Sequence, residues 1–163
     1  MPVISGGVVG QPGRILFEEV TFTEAGAAGT YAGSVTVPAN SWLLDIKIYN
    51  LTYWGAGTSA DMDVGDVADP NGWFAGINLK TTDIVDYTTS THAEVIDFNN
   101  AGGKPGVYLV AATGERELMY ATTARVITGL ITTVGTTSAA GRTRMVVIYT
   151  DPTTPTAATY AAT

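Results

Sequence analysis

The chain has 163 residues, 45% of them hydrophobic and none of them Cys, with 15 acidic against 8 basic residues and a net charge of −7. A chain of this size buries enough surface as one domain to fold without disulfides, and the missing Cys excludes thiolate nucleophiles and thiolate metal sites. The acidic balance argues against nucleic acid as a partner, because phosphate binding draws on clustered Lys and Arg, and no apolar run approaches the ~18 residues of a membrane span.

In chain order, residues 1–14 (MPVISGGVVGQPGR) come first, with Val3, Ile4, Val8 and Val9 set between flexible Gly pairs. They lack the charged start and apolar middle of a signal peptide, so the chain is expected to stay where it is made or to leave by a route that reads no signal. Ile15 to Thr23 is the first strand expected and Thr30 to Val37 the second, closed by Pro38-Ala39-Asn40. Trp42 to Tyr49 alternates, with Leu44, Ile46 and Ile48 on one face and Asp45 and Lys47 on the other, the pattern of a half-buried strand. Asp61 to Gly65 alternates too, with Met62 and Val64 inward. Val107 to Ala111 and Leu118 to Ala121 flank Thr113-Gly114-Glu115-Arg116 as a hairpin would. Glu115 to Arg125 is also the best helix candidate, weakened by Thr122 and Thr123. Arg125 to Val134 and Thr143 to Tyr149 complete the strands, and residues 150–163 carry one charge and no strand pattern. Short β-branched runs between Gly, Pro, Asn and Asp clusters predict an all-β domain, a β-sandwich of jelly-roll type, over residues 15–150. Residues 1–14 are then an N-terminal arm and residues 151–163 a C-terminal tail.

The charges are unevenly spread: residues 61–97 hold eight acids and one base, Lys80, while five of the eight bases lie from Lys104 to Arg144. Such asymmetry suits contacts between copies, and equally a scattered solvating surface. The densest acidic stretch, Asp61, Asp63, Asp66 and Asp69, places four carboxylates within nine residues. An EF-hand counted from Asp61 would need its Gly sixth and a Glu twelfth, where Asp66 and Gly72 stand, so the spacing fails. A different calcium site is the sharper alternative. The plainer one is a turn in which Asp66 and Asp69 accept amide hydrogen bonds, Pro70 sets φ, Asn71-Gly72 adopts the left-handed conformation, and Trp73 and Phe74 re-enter a packed surface.

The rest of the chain offers no reactive set. His92 is the single histidine, without a Cys or second His to work with. Gly102-Gly103-Lys104-Pro105 lacks the spacing and the Ser or Thr of a phosphate loop. Asn50-Leu51-Thr52 matches a glycosylation sequon, a frequent chance match. Trp42, Trp54 and Trp73 with Tyr53 fit either a sugar-stacking platform or ordinary packing, which is the commoner use of such large side chains. No enzyme activity, metal or other cofactor is expected.

Val37-Pro38-Ala39-Asn40 leading into Leu44-Asp45-Ile46, then Val64-Gly65-Asp66 through Asp69-Pro70-Asn71-Gly72-Trp73, resembles small virion structural proteins of tailed bacteriophages. Their strand opens V-P-A-G and is followed by G-D-x-x-D-P-D-G-[YF]; Asn40, Asn71 and Trp73 are this chain's departures. The stretch from Thr136 to Tyr149 is similar to their final loop and strand, so the likeness covers roughly residues 35–150. What the resemblance implies is a β-sandwich on the outer capsid surface of a virion, made in the host cytoplasm. The implied role is that of a cement or decoration protein whose partners are the major capsid protein and further copies of itself, a trimer being favoured. A receptor- or carbohydrate-binding module of a fibre or tail is the alternative. Val3, Ile4, Val8 and Val9 are the candidate interface residues, since apolar side chains on a loose arm make sense when a neighbour covers them.

Overall fold

The structure, a computed structural model, describes residues 14–80, 96–99, 104–110, 118–136 and 140–152. Its strands are β1 (Ile15–Thr23), β2 (Gly29–Val37), β3 (Ser41–Thr52), β4 (Ser59–Gly65), β5 (Phe74–Asn78), β6 (Tyr120–Ala121), β7 (Arg125–Val134) and β8 (Arg142–Thr150). They form two antiparallel four-stranded sheets, ordered β1-β8-β3-β6 and β2-β7-β4-β5. Eight strands so divided, each sheet drawing on both halves of the chain, are the two Greek keys of a jelly roll. The all-β sandwich expected from the sequence is thus the fold.

Alternation decides which side of each strand is buried. From β3, Leu43, Ile46, Ile48 and Asn50 point inward; from β8, Thr143, Met145, Val147 and Tyr149. Facing them from the other sheet are Val35 and Val37 of β2, Ala60, Met62 and Val64 of β4, and Ile127 and Ile131 of β7. Phe22 of β1 closes this core over Gly33 and Gly129, which pair across β2 and β7, and a Cβ on Gly129 would fall 2.8 Å from the Phe22 ring. The sheets approach closely there because neither residue has a side chain.

Two expectations need correction. Leu44 does not share a face with Ile46 and Ile48. The β3–β8 register slips between Leu43 and Asp45, and this bulge turns Leu44 out to solvent and Leu43 into the core. Val107 to Val110 is one turn of helix, α1, not a strand, and on the far side of the expected hairpin only Tyr120–Ala121 is extended, after helical Leu118 and Met119. The expected turn at Thr113 to Arg116 lies outside the described residues. One strand, β5, was not expected, because Phe74-Ala75-Gly76-Ile77-Asn78 is short and carries Gly76 at φ 69.

Candidate interaction surface

The acidic stretch is the connection between β4 and β5, the only two consecutive strands among the described residues that lie side by side in one sheet. Asp66 Oδ1 accepts from the amides of Ala68 (2.9 Å) and Asp69 (3.2 Å), and Asp69 Oδ1 accepts from Asn71 N at 3.3 Å. Asp66 N in turn donates to Asp69 O (3.0 Å), and Trp73 N to Val64 O (2.9 Å), which closes the hairpin. The carboxylates therefore serve the turn, as the plainer alternative expected. Its detail differs, however. The left-handed positions among the described residues are Asn40 (φ 62), Gly26, Gly76 and Gly135, not Asn71 or Gly72. Gly72 is needed for space, since a Cβ there would run into the Tyr108 ring. The left-handed Asn40 gives a reason for the Gly that the resembling phage proteins place at this point.

Behind the turn, Trp73 is wholly buried, stacked on Phe98 (5.1 Å) and edge-on to Tyr108 (5.0 Å), with the Arg125 guanidinium over its ring at 5.6 Å. Tyr108 donates to Asp66 Oδ1 at 3.1 Å. Burial, then the Asp66 charge, pushes its phenol up to about 12. Arg125 donates to the carbonyls of Leu118 and Met119, and burial lowers its pKa. This cluster ties the segments at 104–110 and 118–125 to the hairpin. Within it, Trp73 Nε1 and Arg125 Nε are buried without an acceptor. Among the described residues, no three Asp, Glu or His side chains gather as a metal site would require.

Of the other candidates, Trp54 is buried and donates to Thr143 Oγ1 (2.8 Å), which donates to Asn50 Oδ1 (2.9 Å). Asn50 Nδ2 donates to Leu79 O at 2.9 Å, so the sequon asparagine lies inside the sandwich and is closed to glycosylation. Trp54 and Trp73 are thereby removed from any sugar platform, and Trp42 alone of the three tryptophans is exposed, at 47%. Lys104 and Pro105 run beside β5 and cover its edge, with Ala75 N donating to Lys104 O at 3.0 Å, while Gly102 and Gly103 lie outside the described residues. His92 and the four interface candidates, Val3, Ile4, Val8 and Val9, lie outside the described residues.

The surface that stands out is the outer face of the β1-β8-β3-β6 sheet, which divides into two zones. One is charged and internally paired. Glu19 and Arg144 lie 3.6 Å apart, Arg144 covers Tyr49, and Lys47 Nζ sits 2.9 Å from Asp45 and 3.0 Å from Asp97. The hydrogen bond that Lys47 donates to Asp45 is the largest cause holding its ammonium above its usual range. The other zone is apolar. Ile15 and Phe17 of β1, Trp42 and Leu44 of β3, and Tyr120 of β6 are all exposed, Phe17 at 67%. Pairing places them together: Phe17 opposes Ile148, which opposes Asp45 beside Leu44; Ile15 opposes Thr150, whose hydroxyl accepts from Trp42 N at 2.8 Å; and Trp42 opposes Tyr120, ring centroids 5.2 Å apart. Contiguous exposed apolar zones are where proteins commonly meet partners, which makes this face the candidate interaction surface. The sequence did not single it out, because it depends on which strands are neighbours and on the bulge at Leu44. The one legible sign was the run of Ile15, Phe17 and Trp42 at positions whose neighbours are the inward ones.

No protein-family model matches the chain, and no curated protein matches it in sequence. Among solved structures, the chain is similar to one in the acidic stable capsid structure of Helicobacter pylori bacteriophage KHP30, at 13% identity and a TM-score of 0.51, covering 88% of this chain and 92% of that one. A chain of the cyanophage Pam1 capsid asymmetric unit is 14% identical with a TM-score of 0.49, over 92% of each chain. One from the capsid of Ralstonia phage GP4 is 15% identical with a TM-score of 0.49, over 88% of each. At 13% identity, what this chain shares with the KHP30 capsid chain is its fold.

Proposed function

We propose that the chain is a non-enzymatic structural protein of a phage virion, and within that class a cement or decoration protein. It binds the assembled major capsid protein from the outer surface, as a homo-oligomer with a trimer favoured, and makes the shell harder to disrupt. The observation that carries this reading is the likeness of fold to a chain of a phage capsid over 88% of the sequence. A jelly roll alone selects no function, since capsid and lectin domains both use it. The phage-like motifs at Val37 to Asn40 and Gly65 to Trp73, on the β2–β3 and β4–β5 connections, support the capsid use, as does an apolar zone that awaits a protein surface. Val3, Ile4, Val8 and Val9 of the arm are its docking residues in this reading.

A fibre or tail module that binds glycans is the competing use, and exposed Trp42 beside Tyr120, whose hydroxyl meets Asn40 Oδ1 at 3.3 Å, is what favours it. Purified chain mixed with undecorated shells of the phage of origin separates the two. Saturable co-sedimentation, density at symmetry-related sites by particle imaging, and a higher shell disruption temperature are expected. Chain that stays in the supernatant yet binds a glycan array through Trp42 would overturn the cement reading.

A further inference from the structure

We propose that the apolar zone of the β1-β8-β3-β6 face is the seat for residues 1–13 of a second copy of this chain, each protomer laying its arm across a neighbour's sheet. The proposal rests on reading the arm as a docking element and names its partner; it does not require a shell.

Composition matches on both sides. Residues 1–13 hold no Asp, Glu, Lys, Arg or His, and their β-branched apolar side chains come in two pairs, Val3-Ile4 and Val8-Val9. The seat is built from Ile15, Phe17, Trp42, Leu44 and Tyr120, with no charged group among them, whereas the charges of the other zone already face one another. Dimensions match as well. From β1 to β6 the apolar zone crosses three interstrand spacings, ~14 Å. Pairs five residues apart on an extended chain are separated by ~17 Å. An arm running across the strands therefore brings one pair to Ile15 and Phe17 and the other to Trp42 and Tyr120.

The place where the arm leaves the domain favours a neighbour over the same protomer. Arg14 is held to β8's end by Asp151 N donating to Arg14 O at 2.6 Å and by the Arg14 guanidinium at 2.7 Å from Asp151 Oδ2. Hydrogen bonding between the two strand lines thus reaches Arg14, one residue beyond Ile15 at the border of the seat, and a chain continued along that axis would run away from the seat. An arm doubled back along its own β1 would bring the second apolar pair over Glu19, Arg144 and Lys47, the charged zone. Because arm and seat are different surfaces of each copy, the contact is heterologous and can close a ring, in which each weak arm contact is multiplied by the others.

Light scattering on a sizing column and sedimentation equilibrium, both without shells, test this. Full-length chain is expected to self-associate. Removal of residues 1–13, and separately Phe17→Ser with Trp42→Ser, should each raise the self-association constant for dissociation at least tenfold. At concentrations low enough for every form to be monomeric, neither should shift the thermal melt, since both changes lie outside the core. The decisive step mixes the two variants: the truncated chain offers a seat, the substituted chain an arm, and the pair should associate one to one although neither does so alone. Full-length chain that stays monomeric at high micromolar concentration overturns the proposal. So does a truncated chain that still assembles, which would point to the tail or the sheet faces, or a mixture of monomeric parents that fails to pair. Normal self-association with bare shells would sink the cement reading and leave this one standing.

Discussion

Trp73 illustrates how a single side chain organises its surroundings. It arrives at the end of the acidic turn, and Phe98, Tyr108 and Arg125 close over it from three separate segments. Trp73→Ala would leave a cavity at the meeting point of all four, and a loss of ~3–5 kcal/mol is expected, read from denaturant melts; a variant melting like wild type would refute the anchor role. Tyr108 and Tyr149 make a second residue-scale prediction. Burial raises both phenols to about 12; for Tyr108 the Asp66 charge adds to this, and for Tyr149 a 2.6 Å hydrogen bond to Glu18. A phenol whose folded pKa lies above its unfolded value keeps its proton longer when folded, so stability is whole below pH ~10 and falls from there to ~12. Melts across that window should show the fall, and Tyr108→Phe should make it shallower.

At the scale of elements, the β4–β5 hairpin shows how a turn can be correctly anticipated and its glycine misread. Asp66, Asp69 and Pro70 supply the local hydrogen bonds and the fixed φ that any chain with those residues can make. Gly72 is required by a residue 36 positions later, Tyr108, whose ring occupies the place of a Cβ. Gly72→Ala should therefore behave as overpacking, costing ~1–3 kcal/mol, and Gly72→Ala with Tyr108→Ala should recover part of that cost. Simple addition of the two losses in a double-mutant cycle would show that the contact is not the cause. The bulge in β3 is a comparable case. Leu43-Leu44 offers two equally apolar candidates for the core, and only the register with β8 selects Leu43. Helix α1 was misread because Val107-Tyr108-Leu109-Val110 has strand propensity, which tertiary bonds override, Gly106 N donating to Trp73 O and Tyr108 N to Gly72 O, both at 2.8 Å.

For the whole molecule, the jelly roll makes the two ends of the described domain into neighbours: β1 pairs along its whole length with β8, from Ile15 opposite Thr150 to Thr23 opposite Arg142. Removing residues 1–13 should leave this pairing, and the melt of protein dilute enough to be monomeric, unchanged. Removing residues 1–23 should abolish folding, because β8 loses its outer neighbour and Phe22 no longer closes the core. Far-UV circular dichroism and thermal melts of the two truncations check this, and a folded domain lacking β1 would contradict it. The same closure places Arg14 and Asp151 together, at the border of the apolar zone that begins with Ile15.

The sequence by itself determined where most strands lie and that Met62, Val64, Ile46 and Ile48 face inward, and it offered a turn at Asp66 and Asp69 as the plainer of two readings. These are local matters: period-two alternation and turn chemistry act within a few residues. Only the tertiary structure decided that β8 lies between β1 and β3, that Leu44 faces solvent, and that Ile15, Phe17, Trp42 and Tyr120 form one surface. Alternation tells which side of a strand is buried but not which strand lies beside it. That choice is made by pairing between residues more than a hundred positions apart, such as Ile15 and Thr150, and no local pattern carries it.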